Sequence, residues 1–240
     1  MSIETKETKT NKAIAMKDNK VCYYLSDKED GETHINIKES LIPYFDLKKL
    51  KSIRINISGA TGSGKTYLCE KILQTTFKKS PQIYLFSSIW DKDYQKIKNL
   101  MHLDIHQFYE QNPKAGDIFE LLMPESVCIF DDILSFDDKR AKAYLKLRSQ
   151  CLATGRHRNI STICIEQQPR NFMKSRDVLL NSEVYIFFPK SSYMPFKKTA
   201  EEYLGLTKAK IEEIGQKSRF VAINKVYPSY AIREHDINIL

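Results

Sequence analysis

The sequence predicts an α/β protein with a mostly parallel central sheet flanked by helices. Three observations carry that prediction. From Ile53 onward, short β-branched apolar runs alternate with longer stretches of helical periodicity. A glycine-rich turn, Gly59 to Thr66, joins the first such run to the first helix. Two later runs end abruptly in polar residues, Asp131-Asp132 and Glu166-Gln167, as parallel strands do when they deliver side chains to the carboxyl edge of a sheet. Of 240 residues, 42% are hydrophobic and 28% charged, enough for one large core without disulfide staples.

The elements follow in order. Residues 1–20 carry few large apolar side chains and are expected to form a disordered tail. Residues 21–50 read as an N-terminal extension with short strands at 21–25 and 34–37 around a turn at 27–31. Residues 51–190 form the core. Its first strand is 53–57, followed by an amphipathic helix at 65–77 with Leu68, Ile72, Leu73 and Phe77 at helical spacing. A second strand at 83–86 follows Pro81, and a helix capped by Asp91 aligns Tyr94, Ile97 and Leu100. The third strand is 127–130. A helix at 138–154 then puts Tyr144, Leu147 and Cys151 on one side and stops at Gly155. Residues 160–165 and 184–188 are the fourth and fifth strands. A small element at 191–240 holds a helix around 209–214 and a hairpin from 220 to 232.

Composition excludes several function classes. The five cysteines contain no CxxC pair and no zinc spacing, and Cys128 and Cys164 read as small buried hydrophobes. His102 and His106 lack a third ligand of matching spacing and read as solvated surface. The N-terminus is polar and Lys-rich with no secretory apolar region, and no run approaches the roughly 18 residues of a spanning helix. A soluble protein kept inside a cell is the expectation. The net charge of +8 is concentrated: ten Lys and Arg residues lie between Lys139 and Arg176 against one acid, Glu166. Such a segment suits a polyanion partner or a phosphate-handling edge.

Gly59, Ala60, Thr61, Gly62, Ser63, Gly64, Lys65 and Thr66 fit G-x-x-x-x-G-K-[ST], the phosphate-binding loop. By chance the string arises in about one chain of this length per hundred; here a strand precedes it and a helix follows. The glycines let backbone N–H groups face a phosphate at the positive end of a helix. Lys65 reaches the β- and γ-phosphates of ATP, and the Thr66 hydroxyl serves as a ligand for Mg²⁺. Asp131 is the second metal residue, acting through water, and Asp132 is the catalytic base or the group that orients water. Gln167, or Gln168 beside it, can touch both the γ-phosphate and the attacking water.

Together Gly59–Thr66, the FDD at Phe130–Asp132, the GRH at Gly155–His157 and the QQP at Gln167–Pro169 resemble the FtsK–HerA class of ring ATPases, above all the genome-packaging ATPases of poxviruses, giant viruses and virophages. The resemblance covers residues 53–188. It implies a P-loop NTPase of the ASCE, RecA-like type, with the fourth strand between the first and third. Two positions depart from the pattern: the second acid is Asp where many relatives carry Glu, and Gln168 stands where the bacterial translocases carry Arg.

The resemblance also implies an arginine finger from a neighbouring subunit, Arg156 or Arg158 by position, with Arg148, Arg170 and Arg176 as weaker candidates. Lys139, Arg140 and Lys142, just after the third-strand acids, become candidate contacts for double-stranded DNA phosphates. The function implied is ATP-driven movement of viral double-stranded DNA into a preformed capsid by a homo-oligomeric ring, pentamer or hexamer, docked on capsid vertex proteins. Its place would be viral assembly sites in the host cytoplasm, or the virion. Alternatives are another DNA pump of translocase or helicase type, a nucleoside or small-molecule kinase, and a nucleotide-gated adaptor that does not hydrolyse ATP.

Overall fold

The computed structural model describes all residues except 9–10, 18–20, 28–30, 91, 93, 168–174 and 216–217. The N-terminal part holds β1 (Ser2–Glu4), β2 (Lys12–Lys17), β3 (Val21–Ser26), β4 (His34–Asn36), β5 (Leu41–Pro43) and α1 (Leu47–Leu50). The core follows with β6 (Arg54–Ser58), α2 (Lys65–Thr75), β7 (Ile83–Ser87), β8 (Leu100–His102), α3 (Ile105–Gln111), α4 (Ile118–Leu121), β9 (Val127–Asp131), α5 (Asp138–Thr154), β10 (Ser161–Glu166), α6 (Arg176–Asn181) and β11 (Val184–Phe187). The chain closes with α7 (Tyr193–Leu204), α8 (Lys208–Gly215), β12 (Val221–Asn224), β13 (Tyr230–Arg233) and β14 (Asp236–Ile239). No helix among the described residues is long and apolar enough to cross a membrane.

Ten strands form the main sheet in the order β4-β14-β13-β12-β11-β6-β10-β9-β7-β8. It is parallel from β11 to β8 and antiparallel from β11 to β4. The fourth core strand, β10, lies between the first, β6, and the third, β9. Apolar side chains on both faces bury the central strands β7, β9 and β10, except at Asp131, which ends β9 half-buried. Val127, Ile129, Ile163 and Ile165 join α2 in one cluster, whereas Cys128, Phe130 and Cys164 join Tyr144, Leu147 and Cys151 of α5 in the other. A third cluster packs α7 and α8 against Tyr185, Phe187 and Val221.

Several expectations need correction. Residues 1–20 are not a tail in their described parts: β1 and β2 belong to a second, four-stranded antiparallel sheet ordered β1-β3-β2-β5. A bulge between Ala13 and Ala15 lets Ala13, Ile14 and Ala15 all turn inward, so a short apolar stretch suffices to bind the segment to the core. The strands expected at 21–25 and 34–37 form but do not pair; β4 pairs with β14 instead. The helix expected after Asp91, a residue outside the described ones, shrinks to one 3₁₀ turn at Tyr94–Lys96, because Leu100 joins β8 against β7. α5 ends at Thr154 with Gly155 as its C-cap, as expected; the chain then continues as a 3₁₀ turn, Gly155–Arg158, and reverses at Asn159, φ 56°. Tyr193–Leu204, for which the sequence suggested no element, form α7.

Ile14 is fully buried and packs in the cluster that contains Leu68 and Ile72 of α2. Ile14→Ala is expected to lower unfolding free energy by about 2–4 kcal/mol, measured by urea denaturation. A disordered tail would leave stability unchanged.

Candidate active site

Strand register brings the predicted groups to one edge. Glu166 is level with Ser58, and Ile165 with Asp131. Gly59, Gln167 and Asp132 are the next residues along these parallel strands, so all three emerge together. Asp132 and Gln167 bound a cleft of about 340 Å³ with Thr61, Lys65, Thr66 and Asp131.

The loop is shaped by close contacts. A Cβ on Gly59 would lie 2.8 Å from Ser63 Oγ and 3.0 Å from the Phe188 ring, so a side chain does not fit there. Gly64, at φ 102°, turns the chain into α2. The Gly59 N–H donates to the Glu166 carbonyl at 3.2 Å, and the Ala60 N–H to Ser192 Oγ at 2.9 Å. Lys65 Nζ donates to the carbonyls of Gly59 and Ala60, each at 2.9 Å. Burial draws the Lys65 pKa below its ordinary value, against the pull of Asp131 and Asp132. The buried Ser63 hydroxyl has no partner among the described residues, an orphan that a phosphate oxygen would satisfy.

The two aspartates are held differently. Asp131 accepts a 2.8 Å hydrogen bond from the hydroxyl of buried Tyr94. Asp132 sits in the left-handed region at φ 53°, which Asp tolerates better than most residues. Gln167 Nε2 donates to its two carboxylate oxygens at 3.0 and 3.3 Å. Gln168 and Pro169 lie outside the described residues. Thr66 and Asp131 offer oxygen donors that suit Mg²⁺, which takes few protein ligands and completes its shell with phosphates and water. Among the described residues no group of three His, Cys, Asp or Glu side chains could hold an ion alone.

Directly behind Gln167 lies an ion pair that the sequence reading did not identify. Arg148 of α5, 1% exposed, donates to Glu166 Oε1 at 3.1 Å and to Asp177 Oδ1 of α6 at 2.8 Å. A signal was present, since Arg148 lies on the apolar stripe with Tyr144, Leu147 and Cys151. Burial outweighs the guanidinium and pushes the Glu166 carboxyl up to about 7. Arg148 is therefore committed within its own chain. Arg158 is also engaged: it bonds the carbonyls of Phe119, Glu120 and Leu122 and lies over the Phe119 ring. Arg156, two residues earlier, is exposed and without a partner among the described residues. Lys139, Arg140 and Lys142 are exposed at the start of α5, while Arg170 lies outside the described residues.

A raised Glu166 pKa means that the folded chain holds a proton that the unfolded chain releases near 4.5. Stability should therefore fall as pH rises from about 4.5 to about 7, and Glu166→Gln should flatten that part of the curve. Arg148→Met, which strands buried carboxylates, should cost about 3–5 kcal/mol. Chemical denaturation across pH measures both.

A model of the family described as Poxvirus A32 protein matches residues 39–177, more than half of the chain. A Sputnik virophage protein, "Uncharacterized protein V3", is 25% identical over 228 residues, covering 92% of this chain and 90% of its own. Among solved structures, the genome packaging NTPase B204 from Sulfolobus turreted icosahedral virus 2, in complex with AMPPCP, aligns over 78% of this chain and 97% of its own at 14% identity, TM-score 0.50. The pCW3 conjugation coupling protein TcpA, with ATPγS, aligns over 97% of this chain and 76% of its own at 17% identity, TM-score 0.52. Both structures speak for the fold, a P-loop ATPase core. The chain belongs to the poxvirus A32 protein family.

Proposed function

We propose that the chain hydrolyses ATP to drive viral double-stranded DNA into a preformed capsid, acting as a homo-oligomeric ring at viral assembly sites or in the virion. The observation that carries this reading is the convergence of Lys65, Asp131, Asp132 and Gln167 at one sheet edge, with Gln167 bonded to Asp132. Family membership supports it, as do the nucleotide analogues bound to B204 and TcpA.

The chemistry is positioning and electrostatics. Lys65 exchanges its loop carbonyls for phosphate oxygens, and Ser63 and the backbone N–H groups complete the cradle. Thr66, and Asp131 through water, would hold Mg²⁺, which would supply neutralising charge to the phosphates. Asp132 accepts the proton of the attacking water as the bond from the γ-phosphorus to its bridging oxygen breaks. Gln167 couples the two events. Its amide now caps Asp132; a γ-phosphate competes for the same N–H groups and frees a carboxylate oxygen for water. When phosphate departs, the cap re-forms, and Glu166, one residue earlier, carries the change to α5 through Arg148. The exposed Lys139, Arg140 and Lys142 on that helix grip DNA phosphates without reading bases.

Arg156 is the trans-acting finger, since Arg148 and Arg158 are committed within their own chain. Lys65→Ala should abolish nucleotide binding. Asp132→Asn should lower turnover about 10²–10⁴-fold with binding retained, and Arg156→Ala about 10³-fold or more. Mixing the last two variants should restore part of the DNA-stimulated turnover, because some interfaces then pair an intact Arg156 with an intact Asp132. Equilibrium binding of a non-hydrolysable ATP analogue measures the binding outcomes, and steady-state phosphate release, with and without long double-stranded DNA, measures turnover. Turnover indifferent to DNA and protein concentration, with no recovery on mixing, would remove the ring motor.

A further inference from the structure

Asp131 is held from behind by a side chain that belongs to none of the sequence motifs. Tyr94 stands in the 3₁₀ turn Tyr94–Lys96 that follows β7. It is 1% exposed and packs in the core cluster with Cys69 and Ile72 of α2 and Ile129 of β9. Asp131 comes two residues after Ile129 and so shares that face of β9. The Tyr94 hydroxyl donates to Asp131 Oδ2 at 2.8 Å.

The same hydroxyl meets the helix that starts at the phosphate loop. Cys69 follows Thr66 by three residues on α2, one turn along the same side of the helix. Its fully buried thiol has the Tyr94 hydroxyl as a hydrogen-bond partner. The phenol thus stands between the element that carries Thr66 and the one that carries Asp131. Packing alone does not call for it: Phe would fill the same space with no polar atom to take out of water. A buried phenol has one proton to give, and giving it to a carboxylate makes a strong, directional bond that fixes how the carboxylate is turned.

We propose that Tyr94 is a positioning residue for the Mg²⁺ site. Its hydroxyl orients Asp131 relative to Thr66, and so sets how tightly the nucleotide-bound chain holds the metal. This rests on the reading of Asp131 as a metal residue, which the experiment tests separately. A partner behind a ligating group commonly contributes about 10–100-fold in metal affinity.

The experiment titrates Mn²⁺, followed by electron paramagnetic resonance, and Mg²⁺ in competition with it, into the full chain in excess over a non-hydrolysable ATP analogue. Tyr94→Phe should raise the metal concentration at half-saturation about tenfold, while affinity for the analogue in EDTA changes less than about twofold. Asp131→Asn should raise it at least as much. The double variant should lose no more than Asp131→Asn alone, because the hydroxyl acts through that carboxylate. Half-saturation unchanged in Tyr94→Phe would overturn the proposal, as would an equal loss in both the native and the Asp131→Asn backgrounds. So would an EDTA affinity that falls as far as the affinity with metal, the mark of a hydroxyl that only supports the fold. If Asp131→Asn leaves metal binding unchanged, Asp131 loses its metal role and the inference goes with it, while binding of the analogue still speaks for the phosphate loop.

Discussion

The position of β10 between β6 and β9 is the constraint on which the site depends. Parallel strands in register end at the same height, so the residues that follow them meet without any loop having to reach. Gly59, Gln167 and Asp132 come from three distant stretches of chain, and each needs only to be the first residue past its strand. The backbone reinforces this: the Gly59 N–H donates to the Glu166 carbonyl, so the phosphate loop and the sensor strand are tied at their exits. A sheet with β6 beside β9 would separate Lys65 from Gln167 by a further strand, roughly 5 Å in the hydrogen-bonding direction.

The Arg148–Glu166–Asp177 cluster has the opposite character. It is costly to bury, and hydrophobic residues of similar volume would pack as well or better. What it supplies is a geometric link between α5, α6 and the residue immediately before Gln167. Tyr94 performs a smaller version of the same task for Asp131, reaching from the turn after β7. Each acidic residue at the edge is thus oriented by a group from another element, as rigid catalytic constellations require.

Much of this was legible in the chain. The strands of the core are continuous apolar runs, α5 begins and ends where its periodicity does, and the motifs name Lys65, Thr66, Asp131, Asp132 and Gln167 directly. Elsewhere the period was ambiguous or the decisive partner was remote. Tyr94, Ile97 and Leu100 all face the core, as the three-residue spacing required, yet a helix and a turn followed by a strand satisfy that spacing equally. The N-terminal strands carry only a few apolar residues, and their burial comes from β5 and α2, far along the chain. Arg158 looked like a site residue because GRH precedes the fourth strand, but α4 ends in carbonyls that needed a donor.

The neighbours of β6 have a consequence for how the protein is made. Ile53 is bonded to Ser161, 108 residues away, and Arg54 to Glu183, 129 residues away. The strand that carries the phosphate loop therefore waits, during synthesis, for both of its flanking strands to leave the ribosome, an interval on the order of ten seconds. Until then its apolar residues have only α2 and the N-terminal sheet for cover, and the loop has neither Glu166 nor Ser192 to fix its shape. A nascent chain that stops short of β11 carries the complete motif but lacks Ser192, which accepts the Ala60 N–H and helps to fix the loop.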